Sequence, residues 1–201
     1  CYFGDNILAY EDYSRQILNF ITPLLATDTI NKKRLLNLGC SVGRIAFELS
    51  RTFENIDAVD FSARTIQHAV KLQLGESVRY TKAIEGDILE YKELELGSVV
   101  SNTNNERILF SQGDGSNLKA IFQNYDVIFI QHALENSYDP ANLIQNAISR
   151  LNPAGVIIIL SDYNYQDQRT PADKRLSGLK VNGENVFAHD ALAAHLGAKF
   201  T

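Results

Sequence analysis

Residues 34–60, RLLNLGCSVGRIAFELSRTFENIDAVD, decide the reading of this chain. A short apolar run at 35–38 breaks at Gly39-Cys40-Ser41-Val42-Gly43. An amphipathic segment follows, and a second apolar run ends in Asp60. The order is strand, glycine turn, helix, strand, acid. Such a unit accommodates the adenosine part of a cofactor. The turn lets backbone approach the ligand, and an acid about 20 residues on accepts the ribose hydroxyls.

The spacing narrows the cofactor. The nicotinamide-dinucleotide fingerprint is G-x-G-x-x-G, whose middle glycine admits a pyrophosphate. Here that position is Ser41, and the spacing is G-x-x-x-G. S-adenosylmethionine has no phosphate and tolerates a less glycine-rich turn. A third apolar run at 108–110 leads into Gln112-Gly113-Asp114-Gly115. In methyltransferases an acid at that place bonds the adenine amino group. Gly39, Asp60 and Asp114 at the ends of three successive strands form a specific combination. A dinucleotide site, or a glycine turn with two helix-capping aspartates, remains as an alternative.

The other segments follow the same alternation. Tyr10, Tyr13, Ile17, Phe20, Ile21, Leu24 and Leu25 recur at helical spacing and predict an N-terminal helix over about 5–27. Ser62 is an N-cap for a helix running to about 74. Residues 78–84 read as a short strand inside an insertion of about 76–107, whose part from 85 to 106 is polar and irregular. YDVIFIQ at 125–131 reads as a buried strand, and Pro140 opens a helix to 151. Asn152-Pro153-Ala154-Gly155 reads as a turn before a fifth core strand at 156–160. A long polar loop is expected over 161–183 and a last helix over 189–196. The fold class is α/β, a doubly wound, Rossmann-like, mostly parallel sheet with helices on both faces. Gly39, Asp60, Asp114 and Gln131 then meet at the carboxyl ends of the strands, where such sheets bind ligands.

Composition excludes several function classes. The 201 residues make one domain, with 45% hydrophobic and 21% charged residues, which is ordinary for a globular protein. The net charge of −5 and the lack of a basic stripe argue against a nucleic-acid partner. Lys32-Lys33-Arg34 is the one basic run and reads as a solvated turn. No apolar run reaches membrane-spanning length, and no signal-peptide pattern is present. Two cysteines, Cys1 and Cys40, make no disulfide framework, so a reducing cytoplasm is expected. The chain begins at Cys1, and a piece of a longer protein is expected.

LNLGCSVGRIAFELSR, AVDFSARTIQHA, YTKAIEGDILE and ILFSQGDGSNL resemble class I methyltransferases. More narrowly, the chain resembles the C-terminal methyltransferase domain of ovothiol synthase, a mercaptohistidine N-methyltransferase. The pairing of LGCSVGR with VDFSAR carries that likeness, as does the insertion after the second strand. So does the loop Ser161-Asp162-Tyr163-Asn164-Tyr165 with Thr170-Pro171 and Leu176-Ser177-Gly178. The resemblance implies S-adenosylmethionine held by Asn37, Gly39, Cys40, Gly43, Asp60, Phe61, Ser62, Asp114, Gly115 and Gln131. It implies methyl transfer to an imidazole nitrogen of a thiol-bearing histidine. A partner or fused iron-dependent sulfoxide synthase would supply that small-molecule substrate.

Glu135, Asp162, Tyr163, Tyr165, Arg169 and Arg175 are substrate-contact candidates, and His132 and Tyr163 are catalytic candidates. His68, His189 and His195 read as surface residues, and no metal site is expected. The chain departs from the family pattern at Asn37, where Asp is usual, at 131–136, and at Arg175, where Trp is usual. These departures keep two alternatives open: methylation of another small metabolite, and a degenerate domain that binds cofactor or partner without turnover. The closing antiparallel hairpin of this family is missing from the pattern, so an open sheet edge is expected.

Overall fold

Successive side chains on a strand point to opposite faces, and here both faces are apolar. In β1 (Arg34–Leu38), Leu35 packs into one core and Leu36 and Leu38 into the other. The same split recurs in β6 (Tyr125–Gln131), with Val127 and Phe129 on one side and Ile128 and Ile130 on the other. The first core is covered by α1 (Tyr13–Leu25), α2 (Arg44–Leu49) and α3 (Ala63–Gln73). The second is covered by α4 (Pro140–Ile148) and α5 (Ala188–Leu196). With β2 (Asn55–Asp60), β5 (Ile108–Gln112) and β7 (Leu151–Leu160), the strands form a parallel sheet in the order β5-β2-β1-β6-β7. This is the doubly wound α/β architecture expected. The computed structural model describes residues 13–197; Cys1, Tyr10 and the expected helical residues 5–12 lie outside them. Among the described residues no helix is long and apolar enough to cross a membrane.

Several elements differ from expectation. The insertion is a full hairpin, β3 (Val78–Glu85) against β4 (Ile88–Leu94), closed by Gly86 and Asp87. Its second strand, ILEYKEL, is mostly exposed, so it shows none of the core alternation that marks a strand in sequence. The long loop contains a second hairpin, β8 (Leu179–Val181) and β9 (Glu184–Val186). Its turn is Asn182-Gly183, with φ of 52° and 87°, and Asn-Gly is a strong short-range hairpin signal. Residues 152–155 are no separate turn but an irregularity within β7, which already pairs at Leu151. The helix opened by Pro140 accordingly ends at Ile148. Strand and helix do not alternate throughout: the crossover from β5 to β6 carries only a 3-10 turn at Gly115–Asn117.

The basic run is also more than a solvated turn. The Asp126 carboxylate accepts from the backbone N–H of Lys33 (3.1 Å) and Arg34 (3.0 Å), which fixes the entry to β1. The Arg34 guanidinium reaches Asp57 at 2.8 Å and lies 5.0 Å from the Tyr125 ring centre. The fully buried Tyr125 hydroxyl donates to the same carboxylate oxygen at 2.7 Å. This cluster ties β1, β2 and β6 together at the sheet end opposite Gly39. Burial, then the bond to Asp57, pushes the Tyr125 phenol well above its usual range. The sign follows: the neutral phenol is favoured in the fold, so its contribution is present below the ordinary tyrosine value of about 10 and fades above it. Tyr125→Phe should cost about 2 kcal/mol, a drop in melting temperature of about 4–8 °C. Thermal unfolding at pH 7 measures it; an unchanged melting temperature would show that the hydroxyl contributes nothing net.

Candidate functional site

The glycine turn, β2 and β5 deliver their residues to one cleft of about 700 Å³, within the range of small-molecule sites. Gly39 sits at the tip of β1 with φ +77°, and Ser41, at the position of the dinucleotide motif's second glycine, is also left-handed at φ 51°. Asp60 holds this turn: its Oδ2 accepts from the Ser41 N–H and its Oδ1 from the Ser62 N–H, each at 2.8 Å. The Thr65 hydroxyl lies 3.3 Å from Oδ1 but 2.8 Å from the Ser62 carbonyl. A hydroxyl has one proton to donate, and the shorter contact takes it. Each Asp60 oxygen therefore holds one backbone N–H and keeps one acceptor site open. Two open acceptors side by side suit the two neighbouring hydroxyls of a ribose.

Asp114 lies two residues beyond β5 and caps the 3-10 turn that follows. Its Oδ1 accepts from the Ser116 N–H and hydroxyl at 2.8 Å each, and Oδ2 remains available to the cleft. Gly115, Ser62 and Phe61 complete this part of the wall. The Phe61 ring is 75% exposed, a large apolar surface that a flat base would cover. Gln131 lines the far side, 2% exposed, and its Oε1 is buried with no partner. An orphaned buried acceptor is costly unless a ligand donor meets it.

Three of the expected cofactor residues stand outside the cleft lining. Asn37 is fully buried in β1, its amide 3.4 Å from the Phe129 carbonyl. Cys40 is a core residue, 3% exposed, and burial followed by the nearby Asp60 charge pushes its thiol well above the usual range. That favours an inert filler over a nucleophile. Gly43 is shaped by packing, since a Cβ there would lie 2.6 Å from the Phe110 ring.

Beside the cleft lies a second cavity of about 460 Å³. His132, Asn136 and Arg169 line both. Glu135 and Asp162 join them in the second cavity. His132 Nδ1 lies 2.7 Å from Glu135 Oε1, and Glu135 Oε2 accepts from the Ser161 hydroxyl at 2.6 Å. His132 Nε2 meets the Tyr13 hydroxyl. Tyr13 belongs to the helical repeat that predicts the N-terminal helix, and it is 40% exposed; its contact with His132 has no signal in the sequence.

The remaining candidates do not converge here. Arg175 is paired with Asp167. Tyr165 is buried in the second core, and Tyr163 packs against that core. Burial, then Glu135, raises the Tyr163 phenol. His189 is exposed, while His68 and His195 are half-buried rather than on the surface. No metal-binding cluster occurs among the described residues.

Residues 10–193 match a family described as methyltransferase domain. No curated protein matches the sequence. Among solved structures the chain is similar to YcgJ from Bacillus subtilis, with TM-score 0.54 and 15% identity over 77% of this chain and 53% of that one. It is similar to an S-adenosylmethionine-dependent methyltransferase from Clostridium acetobutylicum, with TM-score 0.51 and 19% identity over 73% and 49%. A third is the glycopeptide N-methyltransferase MtfA complexed with sinefungin, with TM-score 0.51 and 15% identity over 77% and 57%. At these identities the likeness is one of fold, and the chain spans about half the length of these neighbours. The cofactor of the methyltransferase domain is S-adenosylmethionine. The residues present fit it: paired acceptors on Asp60 for a ribose, Asp114 Oδ2 for an amino group, Phe61 for a base, and the orphaned Gln131 oxygen.

Proposed function

We propose that this chain, which belongs to the methyltransferase-domain family, transfers a methyl group from S-adenosylmethionine to an imidazole ring nitrogen of a thiol-bearing histidine. One observation carries the reading: the loop after β7 walls the cavity beside the cofactor cleft. Asp162, Asn164, Gln166 and Arg169 come from that loop, the segment that resembles the mercaptohistidine N-methyltransferase domain. The loop is anchored, because the fully buried Thr170 hydroxyl lies 2.6 Å from the Ser137 carbonyl and 3.2 Å from that of Glu135. Asp162 and Arg169 put an anion and a cation into one small chamber. Those are the partners that the ammonium and carboxylate of an amino acid require.

When bound, S-adenosylmethionine supplies a methyl group already activated on a positive sulfur. The chain's own residues have to hold the acceptor nitrogen in line and keep water out. Orientation of that kind can contribute roughly 7–11 kcal/mol. On this reading an iron-dependent sulfoxide synthase, fused to this chain or acting with it, installs the sulfur first. The test is incubation with S-adenosylmethionine and either 5-thiohistidine or histidine, followed by mass spectrometry. The expected result is a one-methyl gain on 5-thiohistidine with a much slower gain on histidine. Equal rates would remove thiol recognition. Cofactor binding with no turnover of any small acceptor would favour the non-catalytic alternative.

A further inference from the structure

Resting on the reading above, we infer that His132 accepts the proton that the methylated acceptor must lose, with Glu135 as its positioning residue. His132 stands where the two cavities meet and lines both. Its hydrogen bonds set its tautomer. The Ser161 hydroxyl oxygen already accepts from the Tyr163 N–H at 3.0 Å, so its own proton goes to Glu135 Oε2. The Glu135 carboxylate, 5% exposed, then takes His132 Nδ1–H on its other oxygen. That leaves Nε2 as an acceptor facing the cavity, where the Tyr13 hydroxyl now donates to it. Tyr13 marks the place of a donor N–H from a bound acceptor.

The backbone fixes where the ring stands. His132 has φ +47°, a left-handed conformation that non-glycine residues adopt at a cost. It is held there by its N–H on the Leu160 carbonyl at 2.8 Å and by the Asn136 amide on its own carbonyl at 2.6 Å.

The proton balance is simple. As the acceptor ring nitrogen bonds the methyl carbon, the carbon–sulfur electron pair stays on sulfur and the ring becomes a cation. The N–H proton on its second nitrogen passes to the Nε2 lone pair of His132. The product ring is then neutral, and the new positive charge sits against Glu135.

The test compares His132→Gly and Glu135→Gln with the parent chain, reading S-adenosylhomocysteine affinity by calorimetry and turnover by methyl gain. Glu135→Gln should bind S-adenosylhomocysteine within about twofold of the parent, because Glu135 lines only the second cavity and the Asp60 and Asp114 side of the cleft is untouched. Binding by His132→Gly is measured alongside, so that its kcat is read at saturating cofactor. His132→Gly should lose about 100- to 10,000-fold in kcat, the range for a removed acid–base group. Added imidazole should restore at least about tenfold of that loss by filling the vacated place. Glu135→Gln should lower kcat with little change in acceptor KM and show no rescue. Parent-like turnover in His132→Gly, or a loss that imidazole does not relieve while cofactor binding is kept, overturns the role of His132 alone. Absence of turnover in the parent chain overturns the substrate reading together with this one.

Discussion

Asp60→Ala is expected to weaken S-adenosylhomocysteine binding by about 100-fold or more. The reasoning is local. The carboxylate holds one backbone N–H on each oxygen and keeps one acceptor site open on each. A ribose that fills both open sites makes two charge-assisted bonds, worth about 1.5–3 kcal/mol each, and tenfold in affinity is about 1.4 kcal/mol. The loss also frees the Ser41 and Ser62 N–H groups, which leaves the glycine turn tied to β2 through the Gly39 and Cys40 N–H groups on the Val59 carbonyl. Asp60→Asn separates the two effects. Its single carbonyl oxygen can keep one N–H and one ribose hydroxyl, while its NH2 group can accept neither, so its loss should be nearer about tenfold. Calorimetric titration with S-adenosylhomocysteine and with NAD measures both variants. Parent-like affinity in Asp60→Ala, or NAD binding as tight as S-adenosylhomocysteine, would falsify the placement of the ribose at Asp60.

The residues that made this site legible are those whose side chains or φ angles serve the ligand and the fold at once. Gly39, Asp60 and Asp114 stand at strand ends, where an apolar run stops abruptly and a small or acidic residue follows. The parallel sheet was legible for a related reason: β6 is buried on both faces along its whole length, so Val127 to Ile130 run without a polar residue between Asp126 and Gln131. Residues whose partners are distant in sequence were opaque. Glu135 and Ser161 are joined by a 2.6 Å bond across 26 residues, and Tyr13 meets His132 across 119. No spacing rule connects such positions. In the β3–β4 hairpin the first strand, half-buried at alternate positions, was readable, but β4 was opaque because it is largely exposed and alternation carries no signal there. The Asn182-Gly183 turn was readable, but the strands beside it span only three residues each, too few for a periodicity.

Gly39→Ala is expected to be the most damaging glycine-to-alanine change among the described residues. Two costs coincide at this position. The backbone has φ +77°, and an added Cβ would lie 2.1 Å from the Gln131 carbonyl oxygen. The contact is with backbone, so no side-chain rotation relieves it. The ends of β1 and β6 have to move apart, and the cleft floor moves with them. Left-handed backbone at a non-glycine costs about 1–3 kcal/mol, and overpacking adds about 1–3 kcal/mol. A total of about 3 kcal/mol or more is a large share of a domain stability of about 5–15 kcal/mol, and lowers the melting temperature by about 6–12 °C. Gly178→Ala supplies the control. Gly178 has φ +72°, nearly the same backbone, but a Cβ there meets nothing within 4 Å. Its cost should be the conformational part alone, about 1 kcal/mol, with S-adenosylhomocysteine affinity retained. Thermal unfolding and calorimetric titration of the two variants side by side separate the steric contact from the backbone strain. Equal melting temperatures for the two would mean that β1 and β6 part without cost, and that Gly39 is needed for its φ angle rather than for the close approach of Gln131.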